Sequence, residues 1–261
     1  MKCIYTLLLL CFFAIQVNAQ RLTFKSNNNY QAPENPSTII TNGLLLYLNA
    51  NTYKGTGATW MDLSPLQNNA TIVGAPTYSS IPASLSFGNN QYATTAINNL
   101  AFTKPAATFI AWINPSRTQT QWTGIIFNRR PNGNPPSQVP ATGINLFANN
   151  AVGYHWNDAP STYNWNSGLS VPNNAWSMIV ITINASSATA YLCNANGVAS
   201  ATNNVANPPL SNLNFYIACD PYNIANRVFV GKIGVAMIYD ATLTRAEITS
   251  IFNAQKSFFG L

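Results

Sequence analysis

The stretch Trp176-Ser177-Met178-Ile179-Val180-Ile181-Thr182-Ile183 decides the fold class. It is short, rich in β-branched residues and bounded by Asn and Ser clusters, which is the signature of a strand. Residues at both alternating positions are largely apolar, so the strand is central and its outer face is covered. Working outward, similar runs lie at Leu44–Leu48, Ala70–Val73, Leu85–Phe87, Phe109–Ile113, Gly124–Phe127, Ile144–Phe147 and Val152–Trp156. Others are Thr189–Cys193, Phe215–Ala218 and Val228–Tyr239. Gly, Pro, Asn and Ser separate them. Many short strands with this punctuation predict a sandwich or barrel.

Composition agrees with one folded β domain. Only 7% of the 261 residues are charged, against roughly 25% in an average soluble domain. Amides replace charges: there are 37 Asn. The 47% hydrophobic fraction argues against intrinsic disorder. The shortage of Glu and Lys argues against a coiled coil. The net charge of +6 comes from a scarcity of acids. Basic residues are scattered, and only Arg129-Arg130 are adjacent after the N-terminal segment. Without a basic stripe, nucleic acid is not an expected partner.

The N-terminus reads as a signal peptide over 1–19. Lys2 precedes an apolar run, Ile4 to Ile15, and Val17-Asn18-Ala19 supplies a small-x-small cleavage site. That run is too short to span a bilayer, so no membrane insertion is expected after cleavage. The expected location is secreted, periplasmic or cell-surface. Residues 20–38 read as an extended arm, and 39–261 as the folded domain. Cleavage leaves two cysteines, Cys193 and Cys219, which in an exported chain suggest one disulfide, with two buried thiols as the alternative.

One helix is predicted. Thr244-Arg245-Ala246-Glu247 is a capping box. Ile248, Ile251 and Phe252 follow as a stripe at helical spacing, placing a short C-terminal helix over one edge of the sandwich.

Several segments resemble the laminin-G-like, concanavalin A-like jelly-roll domains. They are Gly43–Ala50, the Trp60-Met61-Asp62-Leu63-Ser64 turn with Asn68–Thr71, Ser84–Tyr92, Phe109–Pro115, Trp176 with Ala190-Tyr191-Leu192, and Gly231–Gly234 with Tyr239, Leu243-Thr244 and Glu247-Ile248. The resemblance covers residues 39–257 and implies an all-β, two-sheet antiparallel sandwich. It does not imply one function, because this fold serves lectins, adhesins and glycosidases alike. The family's acidic positions are neutral here: the hairpin's two Asp positions read as Asn89 or Gln91, and the closing strand's acidic pair is Gly234-Val235. A calcium ion, which the resemblance allows, would therefore lack most of its carboxylates, and no cofactor is expected.

Glycoside hydrolysis needs two paired carboxylates. The acids are Glu34, Asp62, Asp158, Asp220, Asp240 and Glu247. Glu34 is in the arm, Asp62 reads as a turn cap, Asp240 shapes a turn and Glu247 caps the helix. Only Asp158 and Asp220 remain, far apart in sequence. An enzyme would need them to converge. The single His, His155, has no G-x-S-x-G partner.

The segment Tyr154-His155-Trp156-Asn157-Asp158-Ala159-Pro160-Ser161-Thr162-Tyr163-Asn164-Trp165-Asn166 concentrates aromatics with amides. Aromatic faces and polar tips are the chemistry that holds a sugar ring. Tyr154, His155, Trp156, Asp158, Tyr163 and Trp165 are thus candidates for a glycan platform, while Tyr154 and Trp156 also fit a strand core. Trp60, Trp112 and Trp176 read as core. The loop Arg129–Pro136 reads as exposed and cationic. Asp220-Pro221-Tyr222-Asn223 resembles a family loop and is a candidate for a ligand or ion contact.

The expected function is an exported, non-catalytic recognition module for a polysaccharide or glycoprotein glycan. The alternative is a structural or adhesive subunit that contacts a protein. A glycoside hydrolase is the third reading.

Overall fold

The computed structural model describes residues 39–53, 55–95, 101–102, 105–129, 141–211 and 214–261. The expected signal peptide, 1–19, and the expected arm, 20–38, lie outside them. The strands are β1 (Leu44–Asn49), β2 (Thr59–Trp60), β3 (Ala70–Val73), β4 (Thr77–Ser80), β5 (Ala83–Phe87), β6 (Tyr92–Thr95), β7 (Ala101–Phe102), β8 (Ala107–Pro115) and β9 (Thr123–Asn128). They continue as β10 (Thr142–Leu146), β11 (Val152–His155), β12 (Ser177–Ile183), β13 (Ala188–Asn194), β14 (Gly197–Asn203), β15 (Leu210–Ser211), β16 (Phe215–Ile217) and β17 (Gly231–Tyr239). The helices are α1 (Pro160–Tyr163) and α2 (Arg245–Gln255).

Two antiparallel sheets form a sandwich. The first has the order β14-β13-β12-β8-β17-β5-β4, with β1 also pairing β17. The second has the order β11-β10-β9-β16-β6-β3-β2. Strand β12 sits between β8 and β13 with an unbroken register, Ile181 opposite both Phe109 and Ala190. Ile179, Ile181 and Ile183 face the second sheet, packing in one core with Phe109, Ile126, Ile144 and Phe215. Met178 and Val180 face the other way and join Trp112, Met237, Ile248, Ile251 and Phe252 in a second core. The apolar character of both faces is thereby explained.

Helix α2 covers the outer face of the first sheet rather than one edge of the sandwich. Its capping box forms as expected: the Thr244 hydroxyl accepts from Glu247 N–H, and the Glu247 carboxylate accepts from Thr244 N–H. Trp112 stacks against Phe252 at 5.6 Å and Phe259 at 4.2 Å between ring centroids, and its Nε1 donates to Gln255 Oε1 at 2.6 Å. Burying each large side chain in this layer contributes roughly 1.5–3 kcal/mol. Trp60, Trp112 and Trp176 are all buried. Asp62 caps its turn as expected, accepting from the N–H groups of Tyr47, Ser64 and Asn68 at 2.7, 2.8 and 2.7 Å.

The expected disulfide is absent. Cys193 and Cys219 are both free and buried. Strand alternation points Cys193 into the layer under α2, alongside Tyr191. Cys219 follows β16 of the other sheet and bridges to Val228. The two thiols occupy different layers of the molecule. Burial pushes the Cys193 thiol up to about 12 and raises Cys219 as well. Among the described residues no helix is long and apolar enough to cross a membrane.

Candidate functional site

The site gathers on the second sheet from four places in the chain. Strand β9 ends at Asn128 and delivers Arg129, which is buried. Strand β11 delivers His155. A tight turn follows, with Asn157 and Asp158 both at positive φ, 56° and 49°, before α1 ends on Tyr163. The loop after Cys219 brings Asp220, Tyr222 and Arg227. Trp122 stands in the turn that leads into β9, also at positive φ.

Asp220 is the electrostatic centre, with no solvent exposure. Its Oδ2 accepts from Arg227 Nη1 at 2.7 Å, and its Oδ1 accepts from Tyr222 N–H at 3.0 Å. Arg129 Nε lies 3.3 Å from Oδ1 as an ion pair without hydrogen-bond alignment. Arg129 Nη2 donates to Asp158 Oδ1 at 3.1 Å and lies 3.3 Å from His155 Nδ1. The donor and acceptor roles at Nδ1 follow the imidazole tautomer, and Nδ1 also lies 3.7 Å from Asp158 Oδ1. Burial holds the His155 pKa below its ordinary value, against the raising influence of Asp158 and Asp220. Asp158 is held below the usual carboxylate range, first by its interaction with His155 and then by Arg129. With two guanidiniums, two carboxylates and a neutral imidazole, the cluster has no net charge.

Aromatic rings frame this cluster. Tyr163 stacks on His155 at 5.5 Å and meets Trp122 edge-on at 6.3 Å. Trp122 Nε1 donates to the Tyr163 carbonyl at 3.1 Å, locking the two loops together. Tyr222, 44% exposed, lies over both guanidiniums, 5.2 Å from Arg129 and 4.6 Å from Arg227. Arg227 also lies 4.8 Å from the Trp122 ring. Trp122 and Tyr163 are half-buried. The rim is therefore aromatic, with guanidinium N–H groups held rigidly behind it.

The sequence candidates divide accordingly. His155, Asp158 and Tyr163 come together here. Tyr154 and Trp156 do not: both are fully buried, and they offer no face to a ligand. Strand alternation turns Tyr154 into the sandwich, where its hydroxyl accepts from Asn203 at 3.1 Å. Trp156 donates from Nε1 to the Pro208 carbonyl at 2.7 Å. Trp165 is half-buried and packs edge-on against Tyr154. Arg129 is buried rather than in an exposed cationic loop, and Arg130–Pro136 lie outside the described residues. Trp122 and Arg227 carry no signal in the sequence: Trp122 stands alone among polar neighbours, and Arg227 is one of the scattered basic residues. Tyr222 lay in a loop noted for ligand contact.

Calcium does not fit. Both oxygens of Asp220 are taken up by arginines and a backbone N–H. Asp158 is paired to Arg129, so the cluster leaves no spare carboxylate for a cation. Among the described residues no group of three acidic, His or Cys side chains is placed to hold a metal.

Asp158 and Asp220 do converge. Both touch one guanidinium, so they are no farther apart than the roughly 10 Å that paired-carboxylate chemistry tolerates. Their electrostatics oppose that chemistry. A glycosidase acid needs a raised pKa, whereas Asp158 is lowered and Asp220 is enclosed by its partners.

Residues 87–249, more than half of the chain, match the family described as the concanavalin A-like lectin/glucanases superfamily. The chain belongs to that superfamily. Among curated proteins none matches this sequence. Solved structures share the fold at low identity. Domain 4 of AbnA, an extracellular arabinanase from Geobacillus stearothermophilus, solved with arabinotriose, is 15% identical with a TM-score of 0.58; the match covers 83% of this chain and all of that domain. The binding domain of botulinum neurotoxin DC, solved with SialylT, is 16% identical with a TM-score of 0.59, covering 83% of this chain and 52% of that one. Trypanosoma rangeli sialidase, solved with the inhibitor DANA, is 17% identical with a TM-score of 0.57, covering 84% of this chain. This chain spans about a third of the sialidase's length. At these identities the likeness establishes the fold of the superfamily.

Proposed function

We propose that the protein is an exported, non-catalytic carbohydrate-recognition module, whose ligand lies on the rim formed by Trp122, Tyr163 and Tyr222. The observation that carries this reading is the pairing of accessible rings with neutralised acids. The rings suit the C–H face of a sugar, and the spare N–H groups of Arg129 and Arg227 suit its hydroxyls. Asp158 and Asp220 are committed to those arginines, which argues against hydrolysis. Two structural neighbours solved with carbohydrate-type ligands support the class of partner without naming it. The test is a glycan array of the protein beside Tyr222→Ala. The reading expects binding by the parent and at least tenfold loss in the variant. Equal binding by both would remove the site from this rim.

The adhesive reading has one observation in its favour. Met61, Leu63 and Leu66, 52%, 45% and 51% exposed, project from one loop around the Asp62 turn. A blank array with folded protein, together with self-association or partner binding lost in Leu66→Ser, would favour it.

A further inference from the structure

The outer face of the first sheet is covered only in part. The cover ends at Phe259, whose ring occupies the space over Gly234, 2.4 Å from where a Cβ would stand. Beyond that point lies an open groove of about 260 Å³, lined by Ser86, Asn114, Ser116, Asn174 and Lys232 above Phe87 and Gly231. Three of these form a row. Lys232 on β17 is opposite Ser86 on β5 and opposite Asn114 on β8. Strand neighbours lie 4.7–4.9 Å apart, so the row spans roughly 10 Å with the ammonium in the middle. Flanking residues Leu85, Phe87, Ile113 and Ile233 point into the core, which fixes the row on the outer face. The rim is pinned: Asn174 N–H donates to the Pro115 carbonyl at 2.7 Å, and Ser116 N–H to the Val230 carbonyl at 3.1 Å.

Lys232 has no acidic partner among the described residues, and the lining contains no carboxylate. The groove thus offers one uncompensated cation flanked by a hydroxyl and an amide, with a second hydroxyl and amide on the rim. This differs from the neutral aromatic cluster on the other sheet. Below the roughly 300 Å³ of a drug-sized pocket, it has room for one ring rather than a chain of them.

We propose that this groove binds one uronic acid residue, a sugar ring bearing a carboxylate. The carboxylate pairs with Lys232, and ring hydroxyls bond to Ser86, Asn114, Ser116 and Asn174. An inorganic anion would use Lys232 alone; a neutral sugar would use only the flanking groups.

The test is amide-shift titration of the full protein by NMR with glucuronate, glucose and inorganic sulfate, in the parent and in Lys232→Gln, Asn114→Ala and Trp122→Ala. Lys232 is an exposed side chain, so Lys232→Gln keeps the fold, which the dispersion of the same spectra checks. The expected result is saturable glucuronate binding at residues 86, 114, 174 and 232. Affinity falls about tenfold in Lys232→Gln, the scale of one charge-assisted contact, falls in Asn114→Ala, and is unchanged in Trp122→Ala. Glucose and sulfate each bind at least tenfold more weakly than glucuronate. Sulfate binding as tightly as glucuronate overturns the proposal, leaving ion pairing only. So does glucuronate affinity that survives Lys232→Gln, or shifts confined to the Trp122 rim.

Discussion

Replacing Asp220 by Asn tests whether one buried carboxylate organises the site. The substitution keeps the shape and the Oδ1 acceptor for Tyr222 N–H, and removes the charge between Arg129 and Arg227. Breaking a buried ion pair by deleting one partner costs about 3–5 kcal/mol, because the other charge is left uncompensated. The lower end applies here. Arg227 is 16% exposed in its side chain and recovers some hydration, and Arg129 retains Asp158. A loss of about 3 kcal/mol in a domain of this size corresponds to a fall in Tm of about 6–12 °C. Asp158→Asn is the control. Its side chain is 26% exposed, so the loss is about 1 kcal/mol, or about 2–4 °C. Thermal unfolding by circular dichroism, repeated in urea, measures both. In the double variant Asp220→Asn with Arg227→Gln, the two losses combine less than additively, since each removes the same interaction. If Asp220→Asn unfolds no earlier than Asp158→Asn, the buried carboxylate is not the centre of the cluster and the reasoning fails.

Acidification also destabilises the protein. His155 is neutral in the fold with a lowered pKa, so the unfolded chain binds the extra proton and stability falls as pH drops through about 6.5. Asp158, also lowered, adds a second loss as pH falls through about 4. A urea midpoint series from pH 8 to 4 checks this, and His155→Gln flattens the upper step. Cys193 and Cys219 resist alkylation in the native state and both react after unfolding without reductant; peptide mapping that finds them linked would contradict the free-thiol assignment. Thr244→Ala removes the α2 cap and costs about 1 kcal/mol, read as a small drop in Tm with unchanged glycan binding.

Local chemistry was legible and assembly was not. The capping box at Thr244 and Glu247 lies within four residues, so its reading survived to the atom. The central strand β12 was legible because Ile179, Val180 and Ile181 are β-branched and apolar on both faces. Strand β14, Gly197–Asn203, carries no sequence signal because it is an exposed edge of Ala, Ser and Thr with no apolar alternation. Strands β4 and β6, rich in Thr, Ser and Tyr, are equally silent in sequence. The aromatic segment reads as one platform in sequence, yet alternation sends Tyr154 inward and His155 outward, while the turn at Asn157 re-aims Tyr163 onto His155. Arg129, Asp220 and Arg227 meet only because β9, β11 and the Cys219 loop converge on one sheet. No spacing within the sequence encodes that meeting. The expectation of a disulfide rests on the count of cysteines, and the count holds no information about which layer each thiol enters.

The central claim is that the Trp122–Tyr163–Tyr222 rim binds a glycan without metal. A glycan array of the protein, Tyr222→Ala and the double variant Trp122→Ala with Tyr222→Ala, each in calcium and in EDTA, tests it most directly. The account predicts a defined set of bound glycans, loss in both variants, and identical results in calcium and EDTA. Binding that persists in the double variant, or that EDTA abolishes, would contradict it.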